Sequence, residues 1–160
     1  MPDPTLAAAI NDYEAGASRP YRWIAGLSAR EIDAHPVPNT WSIREVVVHI
    51  LDSDLAATHR LRRIAAEETP LLIAYDETAF VKNLHYDTAN LTLVTELFAM
   101  NRKFTAEFLR TLPPEAFARV GIHNQRGKVT LGEMIGMYVN HLSHHEKFVV
   151  AKRAALGKPM

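Results

Sequence analysis

Apolar residues recur every three or four positions over most of this chain, a spacing that predicts amphipathic helices. The first stripe consists of Leu6, Ile10, Tyr13 and Ala17. It predicts a helix from about Pro4 to Leu27. Gly16 and Pro20 are expected to bend or interrupt this helix, because both residue types weaken helical backbone.

The second helix begins at a recognisable cap. Ser42 and Glu45 have the spacing of a capping box, in which the two residues satisfy each other's backbone N–H groups at a helix start. The apolar stripe that follows consists of Val46, Val47, Ile50, Leu51 and Leu55. We expect this helix to run to about Glu68, because Pro70 would end it.

Two more long helices are predicted in the second half of the chain. One covers Thr92 to Leu112, with an inner stripe of Val94, Leu97, Phe98, Phe104, Phe108 and Leu109. The other opens at a second capping box, Thr130 with Glu133, and continues to about Leu156. Its inward residues are expected to be Met134, Met137, Tyr138, Leu142 and Val149.

The connections are less regular. A short helix is predicted near Asp76 to Asn83, and the segment from Arg119 to Val129 is compatible with either a small hairpin or an irregular loop. Four long helices in 160 residues predict an all-α fold, a four-helix bundle that forms a single domain over residues 1–160.

Composition narrows the classes of function. The chain has 18 Lys and Arg against 18 Asp and Glu, so no excess positive charge favours nucleic acid. No apolar run is long enough to span a membrane. Because Cys is absent, a metal would be bound by nitrogen or oxygen. Met1 to Thr5 lack the pattern of a secretion signal, which predicts a cytoplasmic protein. Arg60, Arg62 and Arg63 are interpreted as the solvated end of a helix.

The histidines carry the chemical signal. His141 and His145 are four residues apart on one helix, so both side chains can bind one ion. His49 lies in an apolar stretch, where an imidazole without a partner would be costly. Metal binding and a hydrogen bond to a carboxylate or carbonyl remain alternatives for His49. His144 points away from His145. The other histidines are expected to be exposed: His35, His59, His85 and His123.

Three imidazoles would leave coordination positions open on a divalent ion. Open positions are typical of a catalytic site, whereas a structural site is usually closed by four protein ligands. The candidates near His49 for orienting an imidazole are Glu45, Asp52, Ser53 and Asp54. None of them is singled out as a general base, so the catalytic residues remain unassigned.

These residues resemble the DinB-like superfamily, and its YfiT-like branch in particular. The resemblance lies in WSIREVVVHILDSD at residues 41–54, EETP at 67–70, YDE at 75–77, TLGE at 130–133 and YVNHLSHH at 138–145. It covers nearly all of the chain beyond residue 20.

The resemblance implies a four-helix bundle with one divalent metal, typically nickel or zinc, held by His49, His141 and His145. It also implies homodimers and a small-molecule substrate. Members of the superfamily are described as metal-dependent hydrolases, or as transferases and isomerases that use a low-molecular-weight thiol such as bacillithiol or mycothiol. The alternatives are a non-catalytic metal-containing module that binds small molecules, as in stress response, and a dimerisation module.

Overall fold

The computed structural model describes residues 4–160, with the side chains from residue 5 onward. Met1 to Asp3, the first residues of the segment that lacks a secretion-signal pattern, lie outside the described residues. The α-helices are α1 (Pro4–Ala15), α2 (Arg19–Ile24), α3 (Ala29–Asp33), α4 (Ile43–Ala66), α5 (Glu77–Asn83), α6 (Leu91–Arg110) and α7 (Leu131–Ala155). The strands are β1 (Leu71–Leu72), β2 (Val120–His123) and β3 (Gly127–Thr130). Short 3-10 helices cover Gly16–Ser18, Tyr86–Thr88 and Pro114–Ala118.

Helices α1, α4, α6 and α7 pack together as a bundle, and the predicted all-α four-helix fold is confirmed. That residues 1–160 form a single domain stays a prediction. Within residues 4–160, no helix combines the length and the apolar character that a membrane span requires.

Both predicted capping boxes are present. Oγ of Ser42 accepts from the Glu45 backbone N–H at 3.1 Å, and Glu45 accepts from the Ser42 backbone N–H at 2.6 Å. Thr130 and Glu133 form the same pair of bonds. The predicted first helix is broken at Gly16, where α1 gives way to a 3-10 turn and then α2. A Cβ at Gly16 would lie 2.6 Å from the Arg102 guanidinium, so glycine allows the close approach of these two segments.

The uncertain segment after α6 is a hairpin. Strands β2 and β3 pair antiparallel, and β1 adds to β2 in parallel through Leu71 and Leu72. The three-residue loop between β2 and β3 is followed by Gly127, whose φ of 76° is a left-handed conformation that glycine adopts without strain.

Three residues predicted to face inward are exposed: Leu55, Leu97 and Phe104. Helix α6 has two apolar faces, and the one that packs against the bundle carries Val94, Phe98 and Leu109. Arg102 lies between Phe98 and Leu109 on the packed face and is also buried. The prediction merged the two faces of α6 into one stripe and was therefore wrong at Leu97 and Phe104.

Arg102 connects all four bundle helices. Its Nε donates to Asp54 on α4 at 3.0 Å, Nη1 donates to the Tyr13 carbonyl of α1 at 3.0 Å, and Nη2 donates to the Tyr138 carbonyl of α7 at 3.2 Å. The guanidinium also lies over the rings of Tyr13 and Phe98. A buried cation is tolerated here because its charge is paired with Asp54 and each guanidinium nitrogen donates a hydrogen bond.

Candidate metal centre

Helices α4 and α7 bring three histidines together. Nε2 of His49 lies 3.4 Å from Nε2 of His141, and Nε2 of His145 lies 3.1 Å from the same atom. Three imidazole nitrogens therefore converge on one point between the two helices.

The buried environment keeps these imidazoles neutral. Burial, followed by the proximity of the other histidines, lowers the pKa of His49 to about 3, that of His141 to about 4 and that of His145 to about 3. Neutral imidazole is the form that donates a lone pair to a metal ion.

Hydrogen bonding among the three rings does not account for their arrangement. Nε2 of His141 faces two other Nε2 atoms, and in a neutral ring that atom either donates one proton or accepts one. A shared cation would satisfy all three nitrogens. The alternative considered for His49, a bond to a carboxylate or carbonyl, is not found among residues 4–160, since within them its Nδ1 is buried without a partner.

The spacing fits an ion. Nitrogens about 2.0 to 2.1 Å from a zinc ion lie roughly 3.3 to 3.4 Å apart at tetrahedral angles and roughly 2.9 Å apart at right angles. The separations from His141 to the other two nitrogens, 3.1 and 3.4 Å, fall in this interval, and all three nitrogens lie within 4.8 Å of one another. The described carboxylates offer no fourth ligand to this cluster, so the donor set is three nitrogens.

The surroundings hold the rings in place. Oγ of Ser53 lies 3.4 Å from Nδ1 of His141. The Trp41 ring covers the centre, with its centroid 4.9 Å from that of His49 and stacked parallel to His145 at 6.4 Å.

The three carboxylates considered for orienting an imidazole have other partners. Glu45 caps α4, Asp52 accepts from the Tyr86 hydroxyl, and Asp54 accepts from Arg102. Of the four residues considered, Ser53 is the one that contacts a histidine of the centre.

A cleft of about 650 Å³ gives access to the centre. His141 and His145 line one side of it. The polar residues on its other walls include Ser53, Arg60, Tyr75, Glu77, His123, Gln125, Arg126 and Tyr138. The cleft is wide enough for a small molecule to reach the histidines.

Several residues of the cleft were not predicted from the sequence. His123 was expected to be exposed but is buried, because alternate residues of β2 face inward and His123 is one of them. Arg60 was expected on a solvated face, yet its guanidinium bonds to Tyr138 at 2.6 Å and to the Ile73 carbonyl at 2.6 Å. Tyr75 and Arg126 lie in loops. Tyr75 belongs to the YDE segment of the family resemblance, but that segment does not indicate a place in the cleft, and Arg126 belongs to no motif.

Comparison with known proteins gives consistent matches. "Putative metal-dependent hydrolase YfiT" from Bacillus subtilis is 36% identical over 122 residues, which are 73% of this chain and 66% of that protein. A relative from Oceanobacillus iheyensis, likewise named a putative metal-dependent hydrolase, is 27% identical over 122 residues, 76% of this chain and 70% of that protein.

A solved structure agrees in fold. It is that of YfiT from Bacillus subtilis, described as having an unusual four-helix bundle topology. It superposes with a TM-score of 0.91 over 98% of this chain and 90% of the other, at 24% identity. The sequence pattern of the DinB superfamily matches residues 13–149. With the bundle and the pattern both matched over most of its length, this chain belongs to the DinB superfamily, among its YfiT-like members.

Proposed function

We propose that this protein is an enzyme in which His49, His141 and His145 hold one divalent metal ion, nickel or zinc, and that it acts on a small-molecule substrate. The observation that carries the proposal is the convergence of three neutral Nε2 atoms beside an open cleft. Relatives named as metal-dependent hydrolases support the same class of activity.

An ion held by three neutral ligands retains its charge and supplies Lewis acidity to a nucleophile in the cleft. The protein contributes the orientation of the ligands. Ser53 holds the His141 ring, and Trp41 covers the centre beside His49 and His145. The nucleophile is either water, for hydrolysis, or a low-molecular-weight thiol, for S-transfer.

Elemental mass spectrometry of the untagged protein tests the metal site. We expect close to one ion per chain in the natural sequence and its loss in the His141→Ala, His145→Ala double variant. His144→Ala is the matched control, because His144 is an exposed neighbour on the same helix. Absence of a stoichiometric ion, both as purified and after titration with nickel or zinc, would refute the proposal.

Turnover with and without added thiol separates the two reactions. A transferase consumes a reactive electrophile faster when cysteine or another small thiol is present, and the rate depends on the bound metal. A hydrolase cleaves a test ester without thiol. Tight ligand binding without turnover in either assay would favour the alternative, a non-catalytic binding module.

The homodimer expected for this family has a suitable surface. Leu93, Leu97, Met100 and Phe104 form one exposed stripe along α6, each between 47% and 69% exposed. Glu96 and Lys103 lie on the same flank of this stripe. In an antiparallel two-fold pair, Glu96 faces the partner's Lys103, so apolar and charged contacts match together. We infer a homodimer through α6, in the cytoplasm.

A further inference from the structure

The cleft beside the histidines carries a positive charge from residues that are not metal ligands. Two guanidiniums, Arg60 and Arg126, line it, against one lining carboxylate, Glu77. Within residues 4–160, neither arginine forms an ion pair with a carboxylate. Paired surface arginines elsewhere in the chain, such as Arg63 with Glu67, show the more usual arrangement.

Arg60 is held in a fixed position. Its Nη1 donates to the Tyr138 hydroxyl and its Nη2 donates to the Ile73 carbonyl, both at 2.6 Å. Guanidinium has five N–H donors, so about three remain for a ligand. The Tyr138 ring lies 6.3 Å from the His141 ring, centroid to centroid, so Arg60 is anchored one side chain away from the metal ligands.

Arg126 is presented by the hairpin loop. Gly127 turns the chain back at the end of this loop, and Asn124 binds the loop to the segment after β1 by accepting from the Ala74 backbone N–H at 2.9 Å. The Arg126 side chain is exposed and free of ion pairs and hydrogen bonds within the described residues. Its charge acts inside the cleft: burial lowers the pKa of His123, and Arg60 and Arg126 lower it further.

A third donor, Tyr75, lines the same cleft. The Tyr75 hydroxyl is buried near Ser53 without forming a hydrogen bond of good geometry. Burial raises the pKa of Tyr75, so its hydroxyl keeps its proton and can donate it to an acceptor. A buried hydroxyl without a partner is costly unless a ligand satisfies it.

We propose that Arg60, Arg126 and Tyr75 form an oxyanion subsite that binds a carboxylate or phosphate group of the substrate while the reacting end of the substrate faces the three histidines. This inference rests on the proposed function for the role of the histidines. Guanidinium binds both oxyanions through paired N–H groups, and the cleft volume of about 650 Å³ accommodates a small molecule that carries one such group.

Backbone-amide NMR titrations test the subsite directly. Butyrate is compared with butyramide, which has nearly the same shape without the charge. We expect butyrate to shift the amide signals of Gln125, Arg126 and Ala74 saturably. Butyramide should bind at least about tenfold more weakly, because hydrogen bonds to an ionised group are the stronger ones. Propylphosphonate is titrated in parallel, and the tighter of the two anions identifies the group that the subsite prefers.

Variants assign the effect to the cleft. Arg126→Gln should weaken butyrate binding about three- to tenfold. The expected effect is modest because Arg126 is exposed to solvent. Lys128→Gln is the matched control: Lys128 is an exposed cation on the same hairpin but outside the cleft lining, so affinity should stay within about twofold. Equal binding of butyrate and butyramide, or an unchanged affinity in Arg126→Gln, would overturn the subsite.

The two proposals fail separately. The titrations use the full chain as purified, with its metal content measured, and are repeated after zinc addition. Butyrate binding that depends on Arg126 in a chain that takes up no metal would refute the proposed function and support the subsite. Stoichiometric metal without any preference for the anions would support the proposed function and refute the subsite.

Discussion

The Ser53 hydroxyl lies at the ring nitrogen of His141 that does not face the other histidines. Bonds of this kind fix the orientation and the tautomer of a ligating imidazole. Ser53→Ala should therefore lower metal affinity, by about tenfold or more, while leaving the fold intact. Competition against a chelator of known affinity measures the change.

Ser143→Ala is the control for this substitution. Ser143 is a serine next to the histidines on α7, but its Oγ accepts from Arg19 rather than contacting an imidazole. Its metal affinity should match that of the natural sequence. An unaltered affinity in Ser53→Ala would show that the His141 ring is held by its packing alone.

The burial of His123 should make the free energy of unfolding depend on pH. Burial, with Arg60 and Arg126, lowers its pKa in the folded state, whereas in the unfolded chain it titrates near about 6.5. Below that pH the unfolded state takes up a proton that the folded state excludes. The free energy of unfolding should consequently fall as the pH drops through the unfolded value, by at most ~1.4 kcal/mol per pH unit from this residue.

Urea unfolding at pH 7.5 and 5.5 measures this contribution. His123→Gln should show a smaller loss of stability between the two pH values than the natural sequence. His59→Gln, on an exposed position of α4, should behave like the natural sequence. The three histidines of the centre contribute equally in both variants, so equal losses in the His123 and His59 variants would contradict a contribution from His123.

At the level of elements, the sequence predicts the helices through signals that are local. A capping box satisfies backbone donors within four residues, so the starts of α4 and α7 follow from Ser42 and Thr130. The approach of His49 to His141 and His145 follows less directly, since spacing on one helix cannot show which helix packs opposite. The family resemblance supplied that pairing.

Other features depend on tertiary contacts and were missed. Arg102 looks like a surface residue in the sequence, and its burial depends on partners from α1, α4 and α7. Because the inward face of α6 was inferred from apolar residues alone, Leu97 and Phe104 were assigned to it wrongly. The cleft walls at Tyr75 and Arg126 come from loops, whose course is set by the β1–β2 pairing and by Asn124.

The Arg102 connection between helices predicts a large effect on stability. Arg102→Met leaves the Asp54 carboxylate buried without its cation, which should cost about 3 to 5 kcal/mol. Adding Asp54→Asn removes that charge and should recover part of the loss. Denaturant unfolding of the single and double variants at neutral pH measures both changes.

The pH dependence of the single variant identifies the cause. Burial raises the pKa of Asp54, and Arg102 opposes this effect in the natural sequence. Without Arg102 the folded state favours the protonated acid, so the destabilisation should shrink as the pH falls through the folded-state pKa. A destabilisation independent of pH would indicate lost packing of Arg102 against Tyr13 and Phe98 instead.

On the scale of the whole molecule, the exposed stripe of α6 predicts the oligomeric state. Large apolar residues in one row leave an unfavourable surface in water unless a partner covers them. Size-exclusion chromatography with light scattering should give twice the 17.9 kDa chain mass for the natural sequence and a single chain mass for Leu97→Glu. Leu84→Glu, at an exposed leucine outside the stripe, should remain dimeric.

Charge reversal tests the antiparallel arrangement itself. In that arrangement Glu96 of each chain faces the partner's Lys103, so Glu96→Lys places two cations together at both ends of the interface and should favour monomers. Adding Lys103→Glu restores opposite charges and should restore the dimer, although neither residue is then the natural one. Dissociation constants from sedimentation equilibrium at low and high salt measure the rescue, which salt should weaken. A double variant that stays monomeric while each chain remains folded would rule out this pairing of α6 with a second copy.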